Sequence, residues 1–175
     1  QVIKYIKHQF KKRNLKGNFY KDDWIIKSNF YVSDNIKINL NDISLLGSHQ
    51  KINAGLSIHI ARSILKNNFN IDLTIKALKK CSWPGRLQLI SKGKLTKKIL
   101  KFKDIYLDGF HNIDGMRALI SSININKKIL ICSFLNNKKY IHMLTQLSKN
   151  FDKIIVTKMN EENSITNKDL PKNLS

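Results

Sequence analysis

The chain has 175 residues, 42% of them hydrophobic, enough for one ordinary domain or two small ones and too apolar for disorder throughout. Its formal net charge of +20 comes from scattered lysines and only four arginines, without interleaved aromatic platforms, so a solvated basic surface that attracts phosphates or acidic substrates is expected, and no nucleic acid. No apolar run approaches the ~20 residues of a membrane span, no signal peptide opens the chain, and Cys81 and Cys132 lie far apart in no metal-like spacing, so a cytoplasmic protein with reduced thiols is expected.

Residues 2–13 read as the end of an amphipathic helix, with Val2, Ile3, Ile6 and Phe10 on one face. LKGNFYKDDW is a loop that turns near Gly17. WIIKSNFYV and NIKINL are β-rich runs joined at SDN, a hairpin. In LLGSHQKINAGLSIHIARSILKNN the apolar positions Ile52, Leu56, Ile60, Ile64 and Leu65 recur at threes and fours, which predicts a helix over about 52–66. NIDLTIKALKKC predicts a second short helix with Asp72 in its first turn, where a negative charge is favourable.

Pro84 and Gly85 in SWPGRL break any helix and mark the expected domain boundary. Beyond it strands and helices alternate. RLQLI is a strand, SKGK a turn, KDIYLD a strand, DGMRALISSI a helix and KKILICSF a buried strand. KYIHMLTQLSKNF is a helix, KIIVTK a strand, and a further helix is expected from near Thr166. Such alternation implies an α/β fold with a mostly parallel sheet and right-handed crossovers. The pattern stops without a closing strand, and Gln1 opens in mid-helix without a methionine, so the chain reads as cut from a longer one.

Three stretches carry chemistry. In YLDGFHNIDGMRAL, Asp108 ends a strand, where ligands of open parallel sheets bind, and its carboxylate suits ribose hydroxyls. Gly109 allows a sharp turn, His111 and Asn112 lie in that turn, and Asp114 is placed to cap the following helix. The plain alternative is that Asp108 and Asp114 are only turn and cap residues. In LLGSHQKINAG, Asn53 either caps a helix or offers its amide to an adenine edge, which has the matching donor and acceptor. In WPGR, Arg86 suits phosphate recognition at a domain junction, or else a surface salt bridge.

The three stretches in this order, with DDW before the first strand, resemble folylpolyglutamate synthase/dihydrofolate synthase, a branch of the Mur ligase superfamily. His49-Gln50 and Trp83-Pro84-Gly85-Arg86 favour that folate branch over the cell-wall ligases. The resemblance implies that residues 1–81 are the C-terminal part of a P-loop-type ATPase domain, and 86–175 a smaller, truncated Rossmann-like α/β domain. It implies an ATP-dependent ligase of one-carbon metabolism that joins L-glutamate to a folate or pteroate carboxylate through an acyl phosphate, as a monomer with no membrane partner. ATP and Mg2+ are the implied cofactors, the metal ligands lying upstream of Gln1. By the same resemblance Asn53 contacts the adenine, Arg86 the phosphates and Asp108 the ribose, with His111 near ATP and the incoming glutamate. Asn53, Arg86 and Asp108 are then expected to line one crevice.

Three departures stand out. Ile113 takes the place of the family's proline, and Asn137, Lys138 and Lys139 stand where Asp-Lys-Asp is usual. No glycine lies in a phosphate-loop pattern, so the chain by itself is expected to be inactive. The competing readings are another Mur-type amino-acid ligase of cell-wall synthesis, or a basic non-catalytic nucleic-acid-binding module.

Overall fold

The computed structural model describes residues 2–99 and 104–170. Gln1, Lys103 at the head of the expected strand KDIYLD, and residues 100–103 of the basic cluster KKILKFK lie outside the described residues. The chain divides into two compact units, one running to Ser44 and resuming over Gln50–Cys81, the other comprising Leu45–His49 and the residues from Ser82 onward.

The first unit begins with helix α1 (Val2–Lys12) and a loop in which Gly17 lies against the Phe10 ring, leaving no room for a Cβ. Strands β1 (Ile25–Lys27), β2 (Phe30–Ser33) and β3 (Ile36–Asn39) form an antiparallel sheet in that order. The hairpin at SDN is present, with Ser33 opposite Ile36. WIIKSNFYV is not one strand but a second hairpin, with Lys27 opposite Phe30 across Ser28 and Asn29. Both turn residues have positive φ, 47° and 67°, the tight-turn geometry whose twist matches that of the strands. Helix α3 (Ile71–Lys80) follows, with Asp72 in its first turn and the Asn70 side chain accepting from the Leu73 N–H at 2.9 Å as its cap.

Helix α2 (Ser48–Leu65) starts four residues earlier than the apolar periodicity indicates, and it buries a different face. Ala54 and Ile58 join Trp24, Tyr31, Ile38 and Leu40 in the core of this unit. The apolar positions Ile52, Leu56, Ile60, Ile64 and Leu65, whose spacing predicts the helix, are exposed, Ile64 as much as 72%. The reason is steric. A Cβ on Gly55 would stand 2.6 Å from Ile26 Cδ1 and 2.8 Å from the Trp24 ring, so the helix reaches the sheet only through its small residues. Gly55→Ala gains about 1 kcal/mol of helix propensity but overpacks the Trp24 contact by about 1–3 kcal/mol. Because Trp24 is wedged against Tyr20, Tyr31 and His59, the ring cannot yield. The net expectation is a loss of about 1 kcal/mol in urea unfolding; a more stable variant would contradict this packing account.

His59 sits in the same core. Its Nδ1 is 2.9 Å from the Tyr31 hydroxyl, its ring stacks on Trp24 with centroids 5.8 Å apart, and its Nε2 is buried without a partner. Burial, then the nearby Arg62 guanidinium, push its pKa below the ordinary 6.5, with Asp23 and Asp34 opposing weakly. The unfolded chain therefore takes up a proton at a pH where the folded chain does not. Stability is full above pH 6.5 and declines as pH falls from there through the lowered folded pKa. Melting curves between pH 7.5 and pH 5 should show this decline, and His59→Gln should remove most of it.

The second unit holds β4 (Gln88–Leu89), α4 (Lys94–Ile99), β5 (Tyr106–Leu107), α5 (Ile113–Ser122), β6 (Ile129–Cys132), α6 (Tyr140–Leu147) and β7 (Lys153–Val156). Strands β6 and β7 are parallel, in register from Ile129 opposite Lys153 to Cys132 opposite Val156, and α6 connects them in the βαβ manner that the alternation implies. The unit is mixed α/β as expected, yet β4 and β5 pair antiparallel and apart from that sheet. Helix α4 begins at Lys94, the last residue of the expected turn SKGK, and among the described residues a short 3-10 turn, Asn167–Asp169, stands where a further helix is expected near Thr166. Met116, Phe134, Met143, Leu144, Leu147 and Ile165 form the core. β6 is buried on one face only: Ile129 and Ile131 are exposed while Leu130 and Cys132 pack inward. Burial pushes the Cys132 thiol up to about 11, so it packs as an inert free cysteine.

Candidate functional site

In the second unit the loop WPGRLQ and the turn after β5 are laced together. The Asp108 carboxylate accepts from the Leu87 N–H through Oδ2 and from the Phe110 N–H through Oδ1, both at 2.8 Å. The Gly109 N–H donates to the Gly85 carbonyl at 2.7 Å, and the Gly85 N–H to Gln88 Oε1 at 3.0 Å. Leu87 is 5% exposed yet has φ +44°, a left-handed conformation that costs a non-glycine residue about 1–2 kcal/mol. The bond from Asp108 holds it there. Gly85 has φ +71°, a left-handed backbone that glycine adopts without strain, while a Cβ on Gly109 would make only ordinary contact, 3.4 Å, with the Gly85 oxygen.

Asp108 is thus a turn residue with both oxygens engaged. It follows a strand of an antiparallel pair, so the ligand rule for parallel sheets does not carry its role. A carboxylate has about four acceptor sites, and the two used by backbone leave room for hydroxyl donors. Arg86, beside Leu87, is exposed. Among the described residues the ion pairs are Lys7–Asp22, Arg62–Asp34, Lys79–Asp42 and Arg117–Asp114, so the salt-bridge alternative for Arg86 has no carboxylate.

His111 is exposed on the same turn, its Nδ1 3.3 Å from the Gly109 carbonyl. A carbonyl only accepts, so Nδ1 carries the hydrogen and a neutral ring presents Nε2 as acceptor. The cap of α5 is Asn112, not Asp114: Asn112 Oδ1 accepts from the Gly115 N–H at 2.8 Å, while Asp114 is a solvated first-turn acid beside Arg117. Ile113 occupies the first helical position, where proline is common because its N–H needs no partner. Here the side chain packs against the core instead. Arg86, Asp108 and His111 therefore share one loop cluster.

Asn53 lies in the first unit, inside α2 and well past its start, so it is not the helix cap. Its side chain is exposed, and its Nδ2 donates to Oε1 of Gln50 at 3.1 Å, Gln50 itself being buried. His49 stands where a Cβ on Gly47 would meet its ring at 2.7 Å, and its Nδ1 is buried without a partner. Gly47 has φ +105°. No sequence motif announced the Gln50–Asn53 bond; the signal was their spacing of three on a helix.

Among the described residues no three His, Cys, Asp or Glu side chains converge as a metal cage, and no helix is long and apolar enough to cross a membrane.

No family model matches the chain. Over 111 residues it is 33% identical to the dihydrofolate synthase/folylpolyglutamate synthase of Bacillus subtilis (strain 168), a match covering 59% of this chain and 24% of that one. Over that stretch this chain is similar to a dihydrofolate synthase/folylpolyglutamate synthase. Its fold matches the Mycobacterium tuberculosis folylpolyglutamate synthase complexed with ADP and AMPPCP at a TM-score of 0.76, with 17% identity over 94% of this chain and 38% of that one. A bifunctional folylpolyglutamate synthase/dihydrofolate synthase with Mn, AMPPNP and L-glutamate bound matches at 0.69, with 16% identity over 92% of this chain and 38% of that one. At such identities the two structures speak for the α/β fold. The chain spans well under half the length of these folylpolyglutamate synthases.

Proposed function

We propose that this chain is the C-terminal part of an ATP-dependent ligase that joins L-glutamate to a dihydropteroate or folate carboxylate. The observation that carries the reading is the loop cluster: an exposed guanidinium with no carboxylate partner among the described residues stands next to a residue pinned by Asp108. The kinship with a dihydrofolate synthase/folylpolyglutamate synthase supports it.

A carboxylate is a poor electrophile, so the ligase first transfers the γ-phosphoryl of ATP to a carboxylate oxygen, releasing ADP. The glutamate amine, having lost a proton, then attacks the acyl carbon. Phosphate leaves with the C–O bonding pair, and the amide nitrogen sheds its second proton. In this reading Arg86 neutralises phosphate charge, Asp108 accepts from ribose hydroxyls, and Asn53 meets the adenine edge. His111, with Nε2 free to accept, takes a proton from the glutamate ammonium. Most of the rate comes from positioning and charge stabilisation. A divalent ion would offset charge on the transferring phosphoryl, but the described residues offer no cage for it and no step is routed through it.

The test is ATP-dependent incorporation of labelled glutamate by the intact protein, offered pteroate, folate or a muramyl peptide in parallel. Amide formation on pteroate or folate is the expected result; incorporation only on the muramyl peptide would move the protein to the cell-wall ligases. The 175-residue chain alone should form no amide, and turnover matching the intact protein would refute the fragment reading. Tight nucleic-acid binding that falls steeply with salt and ignores ATP would favour the non-catalytic alternative.

A further inference from the structure

Gln88 has no task in the ligase chemistry above, yet it holds the turn from which Arg86 projects. It is half-buried on β4, where its backbone pairs opposite Leu107, and its Oε1 accepts from the Gly85 N–H at 3.0 Å. We infer that Gln88 is a positioning residue: by fixing Gly85 it sets the direction in which the Arg86 side chain leaves the backbone, and so supports the ligation. The inference rests on the reading of Arg86 as a working cation of that reaction, and not on which phosphate it meets.

Successive peptide planes around Arg86 are each pinned. In the plane of Pro84 and Gly85 the N–H donates to Gln88. In the next plane the Gly85 carbonyl accepts from the Gly109 N–H at 2.7 Å, and the Arg86 N–H donates to the Trp83 carbonyl at 3.3 Å. In the one after it the Leu87 N–H donates to Asp108 at 2.8 Å. Arg86 thus lies between two residues of positive φ, Gly85 at +71° and Leu87 at +44°. Neither conformation holds itself: glycine takes either sign of φ about as readily, and a left-handed backbone is unfavourable for leucine. The Gln88 amide has one usable orientation here, because a backbone N–H is met by the amide oxygen and not by the NH2 group. Without that oxygen Gly85 is free to turn, its carbonyl leaves the Gly109 N–H, and Arg86, carried on the next Cα, loses its fixed starting direction. Its exposed guanidinium has no carboxylate among the described residues to restore the placement. A displacement of about 1 Å at a reacting group costs up to about a hundredfold in rate.

The experiment is a double-mutant cycle in the intact protein: Gln88→Leu, Arg86→Ala and the two together, read by ligation of labelled glutamate and by melting temperature. Gln88→Leu keeps the bulk of the side chain on β4 and removes the acceptor. With Arg86 present it should lower kcat/KM about tenfold or more. In the Arg86→Ala protein it should lower kcat/KM by less than about twofold, because no guanidinium remains to be positioned. Melting should fall by about 5 °C in both backgrounds. A merely structural role would instead lower ligation by the same factor in both, and that result overturns the inference. Backbone amide exchange gives a readout without nucleotide: the Gly85 N–H should exchange slowly in the wild type and fast in Gln88→Leu. A fast Gly85 amide in the wild type also overturns the inference, and so does failure of both Gln88→Leu and Gln88→Met to fold, which would make Gln88 a structural residue alone. These three results leave the ligase reading intact. An Arg86→Ala protein that ligates like the wild type brings down the reading of Arg86 and the inference with it.

Discussion

Asp108→Ala is expected to lower the melting temperature by about 10 °C or more and to weaken ATP by about tenfold to a few hundredfold. The first effect follows from the two backbone N–H groups, of Leu87 and Phe110, that its carboxylate holds. A hydrogen bond to a charged group contributes about 1.5–3 kcal/mol; partial exposure reduces the pair to about 2–3 kcal/mol together. Leu87 then keeps its left-handed backbone without the bond that secures it. The second effect follows from the proposed ribose contact. The ribose stays fixed while the γ-phosphoryl moves, so the loss should fall mainly on the Michaelis constant for ATP, with less change in turnover and little in folate affinity. Asp108→Asn keeps one acceptor and turns an NH2 group towards a backbone donor, so it too should lose stability. Melting temperature and ATP affinity, measured on one preparation well below its transition, separate the two roles. If the folded alanine variant binds ATP normally, Asp108 is an architectural residue alone.

Arg86→Ala should behave in the opposite way. The side chain is exposed and pairs with no carboxylate among the described residues, so melting should stay within a degree or two of wild type. Ligation should fall by about 10²–10³ in kcat/KM, because a cation on the transferring phosphoryl contributes most where charge develops. Arg86→Lys should recover only part of this, since an ammonium cannot reproduce the planar two-pronged fit to phosphate oxygens. Ligation within threefold of wild type in Arg86→Ala would leave Arg86 as a surface cation.

What could be read from the residues was local. The hairpin at SDN, helix α3 with its first-turn Asp72, helices α5 and α6 and the parallel strands β6 and β7 all follow from periodicity and turn chemistry within a few neighbours. The resemblance to the folate ligases was legible too, since each stretch that carries it is a short run of residue types. Even locally there were misses. Asn112 rather than Asp114 caps α5, because either residue can serve and the exact start of the helix decides. Ser28 and Asn29 make a second tight turn that a run of β formers conceals.

The tertiary structure decided what depends on partners distant in the chain. Apolar periodicity shows that α2 has an apolar stripe, but not which face meets the sheet. That choice falls to Ala54 and Gly55, because only small residues let the helix approach Trp24 and Ile26. The antiparallel pairing of β4 with β5 depends on strands separated by a helix and a loop. The carboxylate of Asp108 reaches an amide 21 residues earlier in the chain. A sequence states which groups can donate and accept; which of them meet is settled by a backbone path that no short window contains, and on that path Asp108 became the clamp of Leu87 and Gln50 the partner of Asn53.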